Sequence, residues 1–358
     1  MMAWLLRHGD SEVFGGLKHE YILCAAPQEC QEIRDTLSSR YPELGDVPLP
    51  ISGGGGRLAG HRLPICIGRR DIVVLHSIFP CLLPHFLLLR PDCWHRTAWI
   101  MWGGDLKAFV RGLQRSPKST RARVWKRVCP RLGAVGALAP DDFKVLANAL
   151  ASAAPKKWSP FIYGISLRDE GCGTPRTEED RPVILLGNSA DPSNQHLEGI
   201  ALLEKIRGQA DVICPLGYGG SPDYAREIAA RGNRDLGESF YPMLEMASKE
   251  HFDSVLDSVD IVVYLHDRQQ GLYTLTRVLQ NGGKAFLRAG SPTYEMLLDQ
   301  DIRIFSLEDL KASDPRSLTA PLPTTDQVHN RRQIQRARGL EAALEGWSRL
   351  LAPCLPVP

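Results

Sequence analysis

An arginine, two glutamines and a glycine stand in a row at Arg268, Gln269, Gln270 and Gly271, inside the segment LHDRQQGLYTLT from Leu265 to Thr276. An apolar run that ends at Leu265 reads as a buried strand, and the amphipathic run after Gly271 reads as a helix. The polar residues therefore fall on a strand-to-helix junction, where the positive end of the helix dipole favours an anion. Arg268 can neutralise a diphosphate there, the glutamine amides can pair with sugar hydroxyls, and Gly271 to Thr274 form the opening of the helix. His266 and Asp267 crowd the same junction. The competing reading is a solvated polar loop.

Two further segments have the same form. In LLGNSADPSNQH, Leu185 to His196, a strand ends at Gly187 and small polar residues lead into a helix near Asn194. Gly187 permits a tight turn, and Asn188, Ser189, Ser193, Asn194 and His196 place side-chain donors beside backbone N–H groups. That suits a phosphate, although an ordinary turn with Ser193 or Asn194 as helix cap has the same composition. In PLGYGGSPDY, Pro215 to Tyr224, the glycines Gly217, Gly219 and Gly220 would let a ligand approach the backbone, and Tyr218 could stack on a base or a sugar.

Repeated βα units must carry these junctions. Strands are expected at Val183–Leu186, Asp211–Pro215, Asp260–Leu265, Lys284–Leu287 and Ile302–Phe305. Helices are expected at Asn194–Lys205, Pro222–Arg231, Phe252–Ser258 and Gly271–Leu279, with one last helix from about Asp326 to Leu351. Strand then helix, repeated, predicts a parallel sheet with ligands at the carboxyl ends of its strands. In the first half, Tyr21–Ala25, Ile72–Leu75, Thr97–Trp102 and Ala134–Leu138 read as buried strands. The expected organisation is a first domain over 1–165, a Gly- and Pro-rich linker over 166–180, a second domain over 181–325, and a helix and tail over 326–358. The GGGG run at 53–56 reads as a loop.

LLGNSADPSNQH, PLGYGG and DRQQGLYTLT, in this order and spacing, resemble the bacterial TDP-4-acetamido-4,6-dideoxygalactose (Fuc4NAc) transferase family of enterobacterial common antigen assembly. That family's pattern is close to VGNSGDxSNDH, PMGY and RQQGIGTL. WIMWGGDL, Trp99 to Leu106, looks like its WHIWGADL, and the strand ending at His76 is similar to its strand ending in FHG. The resemblance covers roughly His76 to Phe305 and is tightest in the second half. It implies an α/β GT-B fold, two Rossmann-like doubly wound parallel-sheet domains facing across a cleft. It also implies an inverting transfer that needs no metal or other cofactor. The donor, a TDP-sugar, would sit on the second domain, and a polyprenyl-diphosphate-linked glycan acceptor would enter from the first.

An inverting transfer needs a base for the acceptor hydroxyl, and Asp105 and His76 are the candidates in the first domain. Asp105 could equally cap a helix beginning at Leu106, and His76 could be a buried structural histidine. One departure stands out. About fourteen residues separate Leu6 from the strand at Tyr21, too few for a βα crossover, so the first strand of the domain is expected to be missing or replaced. Asp10 is at most a remnant of the family's first loop.

From Lys107 to Arg131 the chain carries many cations and no acid: Lys107, Arg111, Arg115, Lys118, Arg121, Arg123, Lys126, Arg127 and Arg131, with Trp125 among them. Such a run suits the anionic inner-membrane surface, at about 1 kcal/mol per cation, against the alternatives of a solvated face or nucleic acid, for which no recognition motif is present. The apolar stretch Ile72–Leu89 is broken by Pro80 and Pro84 and reads as strand, loop and short helix rather than a membrane span. Nine cysteines without CxxC spacing argue against a disulfide framework or a zinc site, and the apolar stretch in MMAWLLRHGDSE reads as too short for a signal peptide. The expected location is cytoplasmic, peripheral on the inner membrane. A nicotinamide dehydrogenase is disfavoured, since neither GNSADP nor GYGGSP has GxGxxG spacing. A nucleotide-sugar epimerase and a non-catalytic scaffold of the same architecture are the remaining rivals.

Overall fold

Short apolar runs build two parallel sheets, each in its own compact unit: Met1–Gly164 with Leu340–Pro358, and Ile165–Gly339. The computed structural model describes residues 68, 71–76, 87–137, 140–150, 158–160 and 181–355. The expected strand at 21–25, the question of a missing first strand, Asp10, the GGGG loop, positions 77–86 of the apolar stretch and the 166–180 linker lie outside the described residues.

The first unit contains β1 (Val73–His76), β2 (Thr97–Met101), α1 (Gly104–Arg115), α2 (Thr120–Val128), β3 (Ala134–Ala137), α3 (Pro140–Leu150) and β4 (Trp158–Pro160). The strands pair parallel in sequence order, so this sheet shows no reversal among the described residues. Its central strands, β2 and β3, are buried on both faces, which is why they read as continuous apolar runs rather than alternation. One face packs Trp99, Met101 and Val135 against Leu106, Phe109, Trp125, Val128 and Leu146 of α1 to α3. Trp99, Phe109 and Trp125 form an aromatic cluster with ring centroids 5.1 to 6.0 Å apart. Such pairs add about 0.5–1.5 kcal/mol each beyond the area they bury.

The second unit runs β5 (Val183–Leu186), α4 (His196–Leu203), β6 (Asp211–Pro215), α5 (Pro222–Leu236), β7 (Phe240–Met243), α6 (Lys249–Asp257) and β8 (Ile261–Tyr264). It continues with α7 (Leu272–Gln280), β9 (Lys284–Leu287), α8 (Pro292–Asp299), β10 (Phe305–Ser306), α9 (Leu307–Ala312), α10 (Pro315–Thr319) and α11 (Thr324–Arg338). The sheet order is β10-β9-β8-β5-β6-β7, all parallel. This is the order of a dinucleotide-binding Rossmann sheet, with its reversal between β5 and β8. Ile184 and Leu186 face a core shared with α4, α5, α9 and α10, while Leu185 faces a core shared with α6, α7, α8 and α11. Helices therefore cover both faces. β7 is absent from the sequence reading because FYPM is short and contains proline; Pro242 is tolerated because β7 is an edge strand.

The single terminal helix expected from Asp326 to Leu351 is two helices. α11 ends at Gly339, whose backbone lies too close to the Gln335 carbonyl for a side chain, a Cβ there meeting it at 2.5 Å. α12 (Leu340–Leu351) then packs Trp347, Leu350 and Leu351 on Ala98, Ile100 and Ala134, covering the second face of the first sheet.

Candidate functional site

Leu186 pairs with Val263 across β5 and β8, so the loops that leave these strands emerge side by side. They are the two segments richest in polar chemistry, Gly187–Gln195 and Leu265–Gly271, and they lead into the N-termini of α4 and α7. The sequence-predicted residues Asn188, Ser189, Ser193, Asn194, Arg268 and Gln270 are thereby brought to one crevice.

Asn194 organises the first loop. Its side-chain carbonyl accepts from the Asn188 N–H at 3.1 Å, and its amide donates to the carbonyls of Ser189 (3.0 Å) and Asp191 (3.1 Å). Gly187 holds φ +70°, and a Cβ there would meet the His196 Nε2 at 2.7 Å, so the turn requires glycine. Asp191 caps the short turn Pro192–Asn194 by accepting from the Ser193 N–H at 2.9 Å. Its other oxygen accepts from the Arg268 guanidinium at 3.2 Å, and Arg268 Nε donates to Ser193 Oγ at 3.3 Å. Ser193 Oγ in turn donates to Gln270 Oε1 at 3.4 Å. The two loops are laced through these groups.

Gln195 adopts a left-handed conformation, φ 52°, where glycine would be expected. Its amide donates to the Leu265 carbonyl at 3.2 Å, and its side-chain oxygen accepts from Arg288 at 2.9 Å. Arg288 also donates to Leu265 O (2.7 Å) and to Glu198 (3.0 Å). Asp191, Gln195 and Arg288 are site residues that sequence reasoning passed over. The signal for Asp191 was legible: an aspartate directly before a proline is a cap with proline at the first helical position.

Several polar atoms at this crevice are buried and make no hydrogen bond among the described residues: Asn188 Oδ1, His196 Nε2 and Gln270 Nε2. Unpaired buried polar groups cost about 1–3 kcal/mol each, so their clustering marks a place where a ligand or water completes the network. His196 bonds the Tyr224 hydroxyl through Nδ1 at 3.0 Å, and burial lowers its pKa to about 4 against the opposing pull of Asp191. His266 stacks on Tyr264, centroids 4.8 Å apart, and burial likewise lowers its pKa to about 4.

Some expected contacts change. The space beside Gly217 is filled by the Glu245 backbone and that beside Gly220 by the Ala190 backbone, so these glycines let protein loops approach one another rather than a ligand. Thr274 is buried and hydrogen-bonded to Tyr264, whose hydroxyl also donates to the Gly271 carbonyl at 3.3 Å; Thr274 thus shapes the start of α7 from inside. Gly271 holds φ +64°, with Tyr264 in the space of its missing side chain. Gln269 is half-buried, and Tyr218 is 50% exposed and open to stack.

In the first unit, Asp105 is 1% exposed, in the first turn of α1. One carboxylate oxygen accepts from the N–H groups of Trp102 (2.8 Å) and Leu106 (2.9 Å), and the other from Trp99 Nε1 (3.1 Å). This carboxylate fixes the loop before α1 and the Trp99 indole, a structural use of the residue read as a candidate base or helix cap. His76 closes β1 beside Trp347, and its Nδ1 has no hydrogen-bond partner among the described residues. Burial lowers its pKa to about 4, so the imidazole is neutral at pH 7. Along α1 and α2, Lys107, Arg111, Arg115, Lys118, Arg123, Lys126 and Arg127 are exposed, and the side chain of Arg121 lies outside the described residues. Trp125 is not on that face: it is 2% exposed, held in the core by Trp99 and Phe109. No helix among the described residues is long and apolar enough to cross a membrane.

Solved structures place this architecture. An α,α-trehalose-phosphate synthase (UDP-forming) from Burkholderia vietnamiensis is 11% identical, with TM-score 0.58 over 82% of this chain and 72% of that one. A trehalose-6-phosphate protein from E. coli, bound with UDP-2-fluoro glucose, is 13% identical, with TM-score 0.58 over 84% and 76%. A sucrose-phosphate synthase from Thermosynechococcus elongatus is 14% identical, with TM-score 0.53 over 72% and 67%. Two Rossmann-like units of this kind define a GT-B fold, the architecture of a large class of glycosyltransferases. Within it, the chain belongs to the 4-alpha-L-fucosyltransferase family, glycosyl transferase group 56, whose pattern matches residues 65–329. It is a glycosyltransferase, and membership implies a nucleotide-sugar donor and a glycan acceptor.

The buried histidines set a pH dependence. Below about pH 6.5 the unfolded chain binds protons on His76, His196 and His266 that the folded chain refuses until about pH 4. Stability is therefore full above the unfolded value and falls as pH drops from about 6.5 toward 4. Urea denaturation should show a lower midpoint at pH 5 than at pH 7, and equal midpoints would contradict the buried neutral imidazoles.

Proposed function

We propose that the chain transfers a deoxy- or acetamido-sugar, with inversion, from a TDP-sugar to a polyprenyl-diphosphate-linked glycan of the cell envelope. One observation carries the donor half of this reading. A guanidinium, two helix N-termini and a cluster of unpaired buried polar atoms converge on the β5/β8 crevice, where a Rossmann sheet binds its ligand. Arg268 and the free N–H groups at the start of α7 meet the charge that grows on the diphosphate as the glycosidic bond breaks. The reaction in this reading needs no metal, because those groups supply the counter-charge. Tyr218 offers a stacking surface for the base or sugar, and Gln269 and Gln270 offer amides for sugar hydroxyls. TDP and the lipid-linked acceptor are supported by the DRQQG and GNSADPSN motifs and by family membership.

Calorimetric titration with TDP, UDP and GDP tests the donor site. TDP should bind most tightly, and Arg268→Ala should weaken it at least tenfold, about 1.4 kcal/mol, in a fold whose thermal melt is unchanged. Equal binding by the variant would remove Arg268 from the diphosphate.

His76 is the base in this reading: it closes β1, and its Nδ1 has no hydrogen-bond partner among the described residues, whereas the Asp105 carboxylate already accepts three N–H groups. His76→Gln should cut transfer by two or more orders of magnitude, on the order of a lost general base, while TDP affinity stays at the wild-type value. Near-normal turnover would require another base.

The exposed cations of α1 and α2 suit the acceptor's membrane. With Trp125 buried, adsorption here is electrostatic, without an inserted aromatic. Replacing Arg123, Lys126 and Arg127 with glutamate should abolish cosedimentation with phosphatidylglycerol vesicles at low salt; retention of binding would refute this face.

A further inference from the structure

Arg268, the cation assigned above to the donor diphosphate, already holds an anion. Its guanidinium donates to Asp191 Oδ2 at 3.2 Å, and both side chains are about one-third exposed, at 31% and 34%. The partner comes from the opposite loop of the crevice, 77 positions away in sequence, so the ion pair joins the β5 and β8 loops. Asp191 does not depend on Arg268 for its place: Oδ1 caps the Pro192–Asn194 turn through the Ser193 N–H, and Asn194 fixes its carbonyl. Ser193 Oγ touches both Arg268 Nε and Gln270, so the same small cluster surrounds the guanidinium on the loop side. The carboxylate is thus an anion fixed by its own loop and set against a cation from the other loop.

We infer that Asp191 is a positioning residue that occupies Arg268 in the empty enzyme and competes for it with the diphosphate. This rests on the reading of the crevice as the donor site. In the empty state the pair keeps the guanidinium inside the crevice rather than extended into solvent. When a nucleoside diphosphate arrives, Arg268 exchanges one Asp191 oxygen for phosphate oxygens. After transfer, the free nucleoside diphosphate carries more charge than the donor did and would be held more strongly; Asp191 recaptures Arg268 and speeds its departure. A one-third-exposed ion pair at 3.2 Å suits this role, since such pairs contribute only about 0–1 kcal/mol and can be exchanged. A bidentate buried pair would resist exchange.

The test is Asp191→Asn, whose amide oxygen can still accept from the Ser193 N–H and keep the turn. Binding of TDP and UDP is measured by calorimetry, release by stopped flow, and folding by thermal melt. Asp191→Asn should tighten the better-bound diphosphate by about fivefold, mainly through slower release, with product inhibition rising in parallel. Glu227→Gln removes the same charge from the exposed face of α5, near Tyr224, without touching Arg268, and should leave release unchanged. Unchanged or weaker binding in Asp191→Asn overturns the inference while leaving the donor site standing. Equal tightening in Glu227→Gln overturns it in favour of a general charge effect. Failure of the wild-type chain to bind either diphosphate overturns the reading of the crevice, and the inference with it.

Discussion

The pairing of β5 with β8 is the contact on which the second unit depends. Every other neighbour in that sheet follows from stepping outward, β6 and β7 to one side and β9 and β10 to the other. Only this pair joins strands separated by two intervening βα units, and only here do adjacent loops diverge to opposite faces of the sheet. The divergence opens a crevice, and two helix N-termini flank it. The chemistry-bearing loops then need only modest lacing, by Asn194, Asp191 and Gln195, to hold their side chains there.

Much of the second unit was legible because buried parallel strands leave a plain signature. Val183–Leu186, Asp211–Pro215 and Lys284–Leu287 have the boundaries read from the sequence, since each is an apolar run stopped by a glycine or polar cluster. β7 was illegible for the opposite reason: an edge strand needs one buried face and tolerates proline, so FYPM looks like a turn. The break at Gly339 was hidden because both flanking segments are helical and only tertiary packing distinguishes their destinations.

Site residues divided in the same way. Types that could do chemistry were found, yet a sequence cannot say which way they turn. Asp105, read as a candidate base or helix cap, and Thr274, read as a donor contact, both spend hydrogen bonds on the fold. Gly217 looks like a concession to a ligand and is a concession to the Glu245 backbone. Trp125 sits among cations in sequence but points inward, because a helix facing a sheet must bury one residue in three or four. Asp191 is the converse case: with the cap expected at Ser193 or Asn194, the aspartate before Pro192 is the cap, and its second oxygen accepts from Arg268.

The return of α12 to the first sheet has an effect on how the molecule is made. A nascent chain leaves the ribosome from its N-terminus, and domains usually fold as they emerge. Here residues 165–339 come out as an uninterrupted stretch carrying every strand of the second sheet. The first sheet, although synthesised earlier, waits with Ala98, Ile100 and Ala134 uncovered until Trp347 and Leu350 arrive. The order of completion is therefore the reverse of the order of synthesis. A chain released before residue 340 would have every strand of the second unit but none of the apolar residues, Trp347, Leu350 and Leu351, that α12 lays on Ala98, Ile100 and Ala134.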